Sequence, residues 1–230
     1  MTLRTPQRIP LRIPVGALVA DYSETPAEER ANAISHGCGV LFALAVAVPL
    51  LLRAADTGAL ALATVAIFVA SLLLTFGAST LYHGSQPGRL RRVWLALDHI
   101  AVYFLIAGTW TPVVLLTWTH WFHLVMLGAI WAIAIVGTYL RLFRYTDVTG
   151  PILALYLAAG WAGVFLIPHL WSVSPALVLL VFGGGLLYTL GVVFFLWRSL
   201  RFNHLYWHLF SLGGSAAHVV AIWGVLLPAV

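Results

Sequence analysis

The chain has 230 residues, of which 62% are hydrophobic and only 8% are charged. Soluble domains carry about 25% charged residues, so this composition excludes an ordinary soluble enzyme and indicates an integral membrane protein. The net charge of +5 comes from twelve arginines without any lysine. This excess is too sparse for a nucleic-acid surface, and without lysine no retinal Schiff base can form.

The first thirty residues contain prolines interspersed with Arg4, Arg8 and Arg12, and they end at Arg30. The apolar stretch after Arg12, residues 15–20, is shorter than a signal-peptide core of roughly 7–15 residues. We predict that residues 1–30 form a cytosolic tail and that residues 31–230 form a single membrane domain.

Seven stretches reach the length of about 20 mostly apolar residues that a membrane-spanning helix needs. They cover roughly residues 32–52, 59–83, 93–117, 121–140, 151–170, 176–197 and 204–227. The weakest break, residues 117–120, is flanked by Trp118 and Trp121, as is typical of a membrane interface. The sequence therefore predicts an all-α integral membrane protein, a seven-transmembrane helix bundle.

The arginines predict the orientation of this bundle. Eleven of the twelve fall in the tail and in the breaks after spans 2, 4 and 6, whereas Arg53 alone falls on the opposite side. Arginine-rich loops stay in the cytoplasm. The N-terminus is therefore predicted to be cytoplasmic and the C-terminus to lie outside.

Ionisable residues are predicted to gather near the cytosolic ends of four spans. His204 and His208 begin span 7, and their spacing of four residues places them on one face of a helix. In the predicted topology, His83 at the end of span 2 and Asp98 near the start of span 3 lie at the same depth. Such residues are costly inside a membrane, and they mark functional sites.

A zinc site is the chemistry that this set favours. Three imidazoles, from His83, His204 and His208, match the ligands of catalytic Zn²⁺ sites, in which water takes the fourth position and is activated for attack. Asp98 would orient or deprotonate that water, and Ser79, one turn before His83, would donate a hydrogen bond to a substrate oxygen.

The remaining polar residues receive other predictions. We expect His36 to be a neighbour of the zinc site or a polar residue at a helix start rather than a ligand, and His218 to form an interhelical hydrogen bond. The remaining histidines considered, His120, His123 and His169, are predicted to be interfacial. For Glu28 and Glu29 two roles stay open, charge at a helix N-terminus and a contact at the cytosolic face.

Four blocks in this order carry a family resemblance: EERANAISHG (28–37), STLYH (79–83), LDHIAVYFLIAGTWTP (97–112) and HLYWHLFSLGGSAAH (204–218). They resemble the hemolysin III family of bacterial membrane proteins, within the progestin and adipoQ receptor superfamily. The resemblance implies a seven-helix bundle of the bacterial plasma membrane with a cytosolic N-terminus. It also implies zinc held by three histidines, which map onto His83, His204 and His208, with Asp98 and Ser79 at the family's aspartate and serine.

The leading hypothesis is a zinc-dependent hydrolase that acts on a lipid amide or ester near the cytosolic face. The resemblance implies this class, because alkaline ceramidases in the wider grouping hydrolyse lipid amides. A non-enzymatic regulator or receptor-like protein with structural zinc is the alternative. A transporter or cytolytic pore ranks lower, because polar residues do not continue to the outer face. The predicted partners are the lipid bilayer and a lipid substrate, and not nucleic acid.

Overall fold

A computed structural model of the protein describes residues 24–145, 148 and 150–227. The α-helices are α1 (Pro26–Thr57), α2 (Ala59–Gly84), α3 (Arg89–Leu115), α4 (Trp121–Phe143), α5 (Pro151–Trp161), α6 (Ile167–Val173), α7 (Pro175–Leu196) and α8 (Asn203–Ala221). A 3₁₀ segment, Ala162–Leu166, joins α5 to α6, and a π-helical segment, Ile222–Leu226, extends α8. Most of the predicted tail, residues 1–23, lies outside the described residues.

The described residues contain seven helical stretches long and apolar enough to cross a membrane, with α5 and α6 forming one stretch. This confirms the predicted seven-helix membrane bundle. On α1, Leu41, Leu44, Val48 and Leu52 are each more than half exposed, at helical spacing. Such an apolar face is stable against lipid rather than water, so the bundle contacts the bilayer directly.

The first helix begins six residues earlier than the predicted start at residue 32, at Pro26. Thr25 and Glu28 form a capping box, in which the Thr25 hydroxyl accepts from the Glu28 backbone N–H and the Glu28 carboxylate accepts from the Thr25 backbone N–H. This cap satisfies donors at the start of the helix. Arg30, predicted to lie in the tail, is therefore helical, as are Arg91 in α3 and Arg141 in α4.

The fifth span is not one continuous α-helix. Its 3₁₀ segment ends just before Pro168, which has no N–H to continue the α-helical hydrogen bonding. The indole of Trp110 packs tightly on Gly163 within this segment, where an added Cβ would lie 1.8 Å from the Trp110 ring. The change of helix type therefore accompanies a close contact between this span and α3.

The helices pack so that the last helix, α8, contacts the first helix, α1. α2 packs between α1 and α3, α8 packs on α7, and α8 also contacts α1. One buried cluster lies mainly among α3–α7, and a second lies among α1, α2 and α8. The start of α1, the end of α2 and the starts of α3 and α8 consequently meet at one end of the bundle.

Candidate metal centre and adjoining cavity

Three of the predicted site residues meet at this end of the bundle. His83 lies in the last turn of α2, and His204 and His208 lie in the first two turns of α8. One side-chain nitrogen from each lies within 4.8 Å of the others, and the ring centroid of His83 is 4.9 Å from that of His204 and 5.1 Å from that of His208. The three imidazoles could therefore hold a single metal ion.

Each of these histidines uses its Nδ1 atom to contact a residue in α1 or just before it. His83 Nδ1 lies 2.8 Å from Glu29 Oε2, and His204 Nδ1 lies 3.1 Å from Glu24 Oε1. An ionised carboxylate accepts hydrogen bonds, so the His83 ring carries a proton on Nδ1. This tautomer leaves the lone pair of Nε2 for a metal.

His208 has the same tautomer for a different reason. Its Nδ1 lies 2.9 Å from Ser35 Oγ, and the Ser35 hydroxyl donates its only proton to the Asn32 carbonyl at 2.8 Å. Ser35 can therefore only accept from His208, which places the proton on His208 Nδ1. Metal-binding histidines usually donate their second ring N–H to an oxygen in this way.

Two of the remaining ring nitrogens are buried and lack partners. Within the described part of the chain, Nε2 of His83 and Nε2 of His208 make no hydrogen bond and are closed to water. An acceptor buried without a partner is unfavourable. A metal ion would satisfy these lone pairs, so the donor set fits such a group.

The two neighbouring glutamates have separate roles. Glu29 forms an ion pair with Arg91 as well as its contact with His83. Glu28 caps α1 and accepts a hydrogen bond from the backbone N–H of Phe202 at 3.0 Å. Glu28 is thus a charge at a helix N-terminus, whereas Glu29 contacts the histidine cluster.

His36 supports one ring of the cluster. It stacks on His208 with ring centroids 3.4 Å apart, and its Nε2 lies 3.3 Å from Ser211 Oγ. The Ser211 hydroxyl donates to the His208 carbonyl, so His36 donates to Ser211. His36 thus adjoins the histidine cluster, next to the predicted zinc site.

Asp98 and Ser79 lie beside the cluster but differ in exposure. The Asp98 carboxylate is close enough to Ser79 for their side chains to interact. Ser79 is completely buried, and its hydroxyl makes no hydrogen bond within the described residues. Asp98 is half-buried and lines a cavity, but Ser79 does not line it. The predicted contact of Ser79 with a substrate oxygen therefore lacks an open path in this structure.

The cavity has a volume of about 150 Å³ and lies between α3, α5, α7 and α8. Its polar end is lined by Asp98, His99 and His204, and its other end by apolar and aromatic side chains that include Trp110 and Phe182. Asp98 and Trp110 are twelve positions apart on α3, so the cavity extends about 18 Å along this helix.

Three residues near the cluster were not predicted from the sequence: Glu24, His99 and Arg141. Arg141 is only 3% exposed, and its Nε donates to His99 Nδ1 at 2.7 Å. In the sequence, Arg141 was interpreted only as an arginine that determines topology. Its contact with His99 joins two different helices, and the pattern of a single helix does not predict such a contact. His99 directly follows Asp98, and this adjacency was the available signal. Glu24 precedes α1, so helical periodicity does not predict its position.

The histidines at the opposite end of the bundle have the other tautomer. Nδ1 of His120 accepts from the Phe122 backbone N–H at 3.2 Å, and Nδ1 of His123 accepts from the Thr119 backbone N–H at 3.4 Å. Their protons therefore sit on Nε2, which argues against metal binding. His123 is buried against His169, with ring centroids 4.4 Å apart. Its interfacial depth stays a prediction.

His218 forms the interhelical hydrogen bond predicted for it. Its Nε2 donates to the Val181 carbonyl of α7 at 3.0 Å. The neighbouring Ser215 hydroxyl lies 2.6 Å from the Tyr188 hydroxyl. These bonds join α7 to α8 along the wall of the cavity.

The model of the haemolysin-III related family matches residues 25–219, nearly the whole described chain. The chain belongs to the haemolysin-III related family. It is 35% identical over 203 residues to Hemolysin-3 of Bacillus cereus, covering 87% of this chain and 93% of that protein. It is 37% identical over 192 residues to the Hemolysin-3 homolog of Bacillus subtilis (strain 168), covering 83% and 90%.

A more distant relative comes from animals. The chain is 30% identical over 220 residues to the human monocyte to macrophage differentiation factor, covering 89% of this chain and 87% of that protein. The predicted family and superfamily are thereby confirmed. The Bacillus relatives and the seven apolar helices together make this a multi-pass protein of the bacterial plasma membrane.

Proposed function

We propose that this protein is a zinc-dependent hydrolase that cleaves an amide or ester of a lipid near the cytosolic face. The observation that carries the proposal is the cluster of His83, His204 and His208, in which one ring nitrogen of each lies within 4.8 Å of the others and the buried Nε2 atoms of His83 and His208 lack partners. Three neutral imidazoles are a ligand set that zinc favours, and zinc so held leaves a position for water or substrate.

Zinc bound there would polarise a carbonyl group and activate water. The chain's own residues would supply the rest. Asp98, which lines the cavity, would accept the proton of the attacking water. Ser79, next to Asp98, would orient this carboxylate.

The shape and polarity of the cavity favour a lipid substrate. Its polar end lies at Asp98 and His204, and aliphatic and aromatic side chains line the remainder. An acyl chain would bury apolar surface there while its carbonyl stays near the polar end. Arg89, Arg92 and Arg201, all at this end of the bundle, would attract a phosphate headgroup.

The first test is the metal content of purified wild type beside His83→Ala, His204→Ala and His208→Ala. We expect about one zinc per chain in wild type and little in each variant, since three ligands define the site. His120→Ala is the matched control, because this exposed histidine has its proton on Nε2. Absence of zinc from well-folded wild type would refute the proposal.

Turnover separates the hydrolase from its alternative. Zinc-loaded protein in nanodiscs would be given acyl amides and acyl esters of different headgroups, and released fatty acid would be measured. Release that depends on the three histidines would support the hydrolase. Full zinc occupancy without release from either class would instead support a non-enzymatic membrane protein with structural zinc.

A further inference from the structure

A second polar group faces the cavity beside Asp98. His99 is half-buried and lines the cavity, and its ring is fixed by Arg141, whose Nε donates to His99 Nδ1 at 2.7 Å. A guanidinium can only donate hydrogen bonds, so His99 Nδ1 carries no proton. The ring is therefore a neutral imidazole whose single N–H is at Nε2.

His99 is also fixed from its backbone. The Tyr156 hydroxyl donates to the His99 carbonyl, and Arg141 is itself anchored by a bond from Nη1 to the Tyr145 carbonyl at 3.3 Å. Residues of α3, α4 and α5 thus hold one imidazole in one orientation. A donor that is already oriented binds an acceptor without the free-energy cost of ordering it.

The Nε2–H of His99 has no acceptor among the residues that the structure describes. Thr75, another donor on the cavity wall, is already committed to the carbonyls of Ser71 and Ala101, at 2.8 and 3.2 Å. Ser79 is buried away from the cavity. His99 is therefore the donor best placed at the polar end for an acceptor oxygen brought by a ligand.

We propose that His99 binds the carbonyl oxygen of an acyl lipid in this cavity through its Nε2–H, with Arg141 fixing the tautomer. The oxygen would lie beside Asp98 and near His204, while the acyl chain follows the apolar wall towards Trp110. This assignment deepens the proposed function by naming the group that recognises the substrate carbonyl. It rests on the proposed function only for the choice of lipid amides and esters as the ligand class.

The test compares two probes in nanodiscs, dodecanamide and dodecane, which differ in the polar carboxamide group. Each would compete with tritiated dodecanamide for binding, and the readout is the affinity ratio of the two probes. His99→Phe is expected to reduce this ratio about three- to tenfold, the loss of one hydrogen bond. His99→Gln, whose amide can accept from Arg141 and donate to the probe, is expected to restore much of it.

Trp207→Phe is the matched control, because it changes another side chain that lines the same cavity and does not touch the His99–Arg141 pair. It is expected to leave the ratio unchanged. A ratio that falls in Trp207→Phe but not in His99→Phe would overturn the inference. So would ¹⁵N NMR of labelled protein that shows His99 protonated on Nδ1, a measurement that needs no variant to bind lipid.

The same binding experiment on chelator-treated protein separates this inference from the proposed function. A ratio that depends on His99 without metal supports carbonyl recognition, even for a chain that shows no hydrolysis. Conversely, hydrolysis with zinc bound, together with an unchanged ratio in His99→Phe, would overturn carbonyl recognition and leave the hydrolase intact.

Discussion

At the scale of single residues, hydrogen-bond partners distinguish histidines that can bind a metal from those that cannot. His83 and His208 donate from Nδ1 to oxygen atoms, so their Nε2 lone pairs are available. His120 and His123 accept at Nδ1 from backbone N–H groups, so their Nε2 atoms carry the proton. Residue type alone does not separate these two sets, whereas the acceptor or donor beside each ring does.

Asp98 is the residue whose replacement tests for chemistry rather than metal binding. Asp98→Asn is expected to lower hydrolysis of an acyl amide by about 10²- to 10⁴-fold, because the amide cannot accept a proton from water. Zinc content should remain near that of wild type, since Asp98 is not one of the three proposed ligands. Both quantities would be measured on the same preparation.

Asp56→Asn is the control for this change, because Asp56 is exposed at the opposite end of α1. It should leave turnover and zinc content unchanged. Turnover in Asp98→Asn equal to that of wild type would remove Asp98 from the mechanism and favour the structural-zinc alternative.

At the scale of helices, α1 and the segment before it contact all three histidines of the cluster. Glu24, Glu29 and Ser35 each contact one of the rings. Oxygen atoms of this kind fix ring orientation and raise the basicity of the ligating nitrogen. The position of α1 against α2 and α8 should therefore govern metal affinity.

Glu29→Ala is expected to weaken zinc binding by about 10- to 100-fold, the usual effect of removing such a partner. The dissociation constant would be measured by competition with a chelator. Ser35→Ala should act in the same direction through His208.

Glu28→Ala is the matched control for that measurement. Glu28 caps α1 and contacts Phe202 rather than a histidine, so its loss should lower the melting temperature but leave zinc affinity unchanged. Equal affinities in Glu29→Ala and wild type would show that α1 does not tune the site.

The α7–α8 crossing depends on two glycines in close approach. An added Cβ at Gly184 would lie 2.5 Å from His218 Nε2 and 3.0 Å from the Gly214 carbonyl oxygen, whereas one at Gly183 would meet nothing within 4 Å. Gly184→Ala is expected to destabilise the protein by about 1–3 kcal/mol, because the helices must separate or His218 must move.

Thermal unfolding in detergent would check this pair of variants. Gly183→Ala should unfold close to the wild-type temperature, as the added methyl group enters open space. Equal melting temperatures for the two variants would show that the crossing tolerates a wider separation.

At the scale of the whole molecule, charge is concentrated at the end of the bundle that holds the histidine cluster. Of the arginines that the structure describes, Arg53 lies at the other end, and these lie at the cluster end: Arg30, Arg89, Arg91, Arg92, Arg141, Arg144, Arg198 and Arg201. The positive-inside rule therefore predicts that this end faces the cytoplasm.

Cysteine labelling tests this orientation. In a Cys38→Ser background, a membrane-impermeant maleimide should label Thr119→Cys in intact cells and Ser199→Cys only after the membrane is permeabilised. Thr119 and Ser199 are exposed in turns at opposite ends of the bundle. Labelling of Ser199→Cys alone in intact cells would reverse the orientation and place the cluster outside.

The sequence by itself determined the number of spans and the residues of the histidine cluster. Span number follows from hydropathy, because a bilayer requires long apolar helices. The i, i+4 spacing placed His204 and His208 on one face, and the alternation of the spans brought His83 to their depth.

Only the tertiary structure decided which partners surround that cluster. The contacts of Glu24, Glu29 and Ser35 with the three rings, and of Arg141 with His99, join residues on different helices. Helical periodicity describes one helix at a time and does not specify which faces of two helices meet. The same limit explains why Ser79, near His83 in sequence, proved to be buried away from the cavity that Asp98 and His99 line.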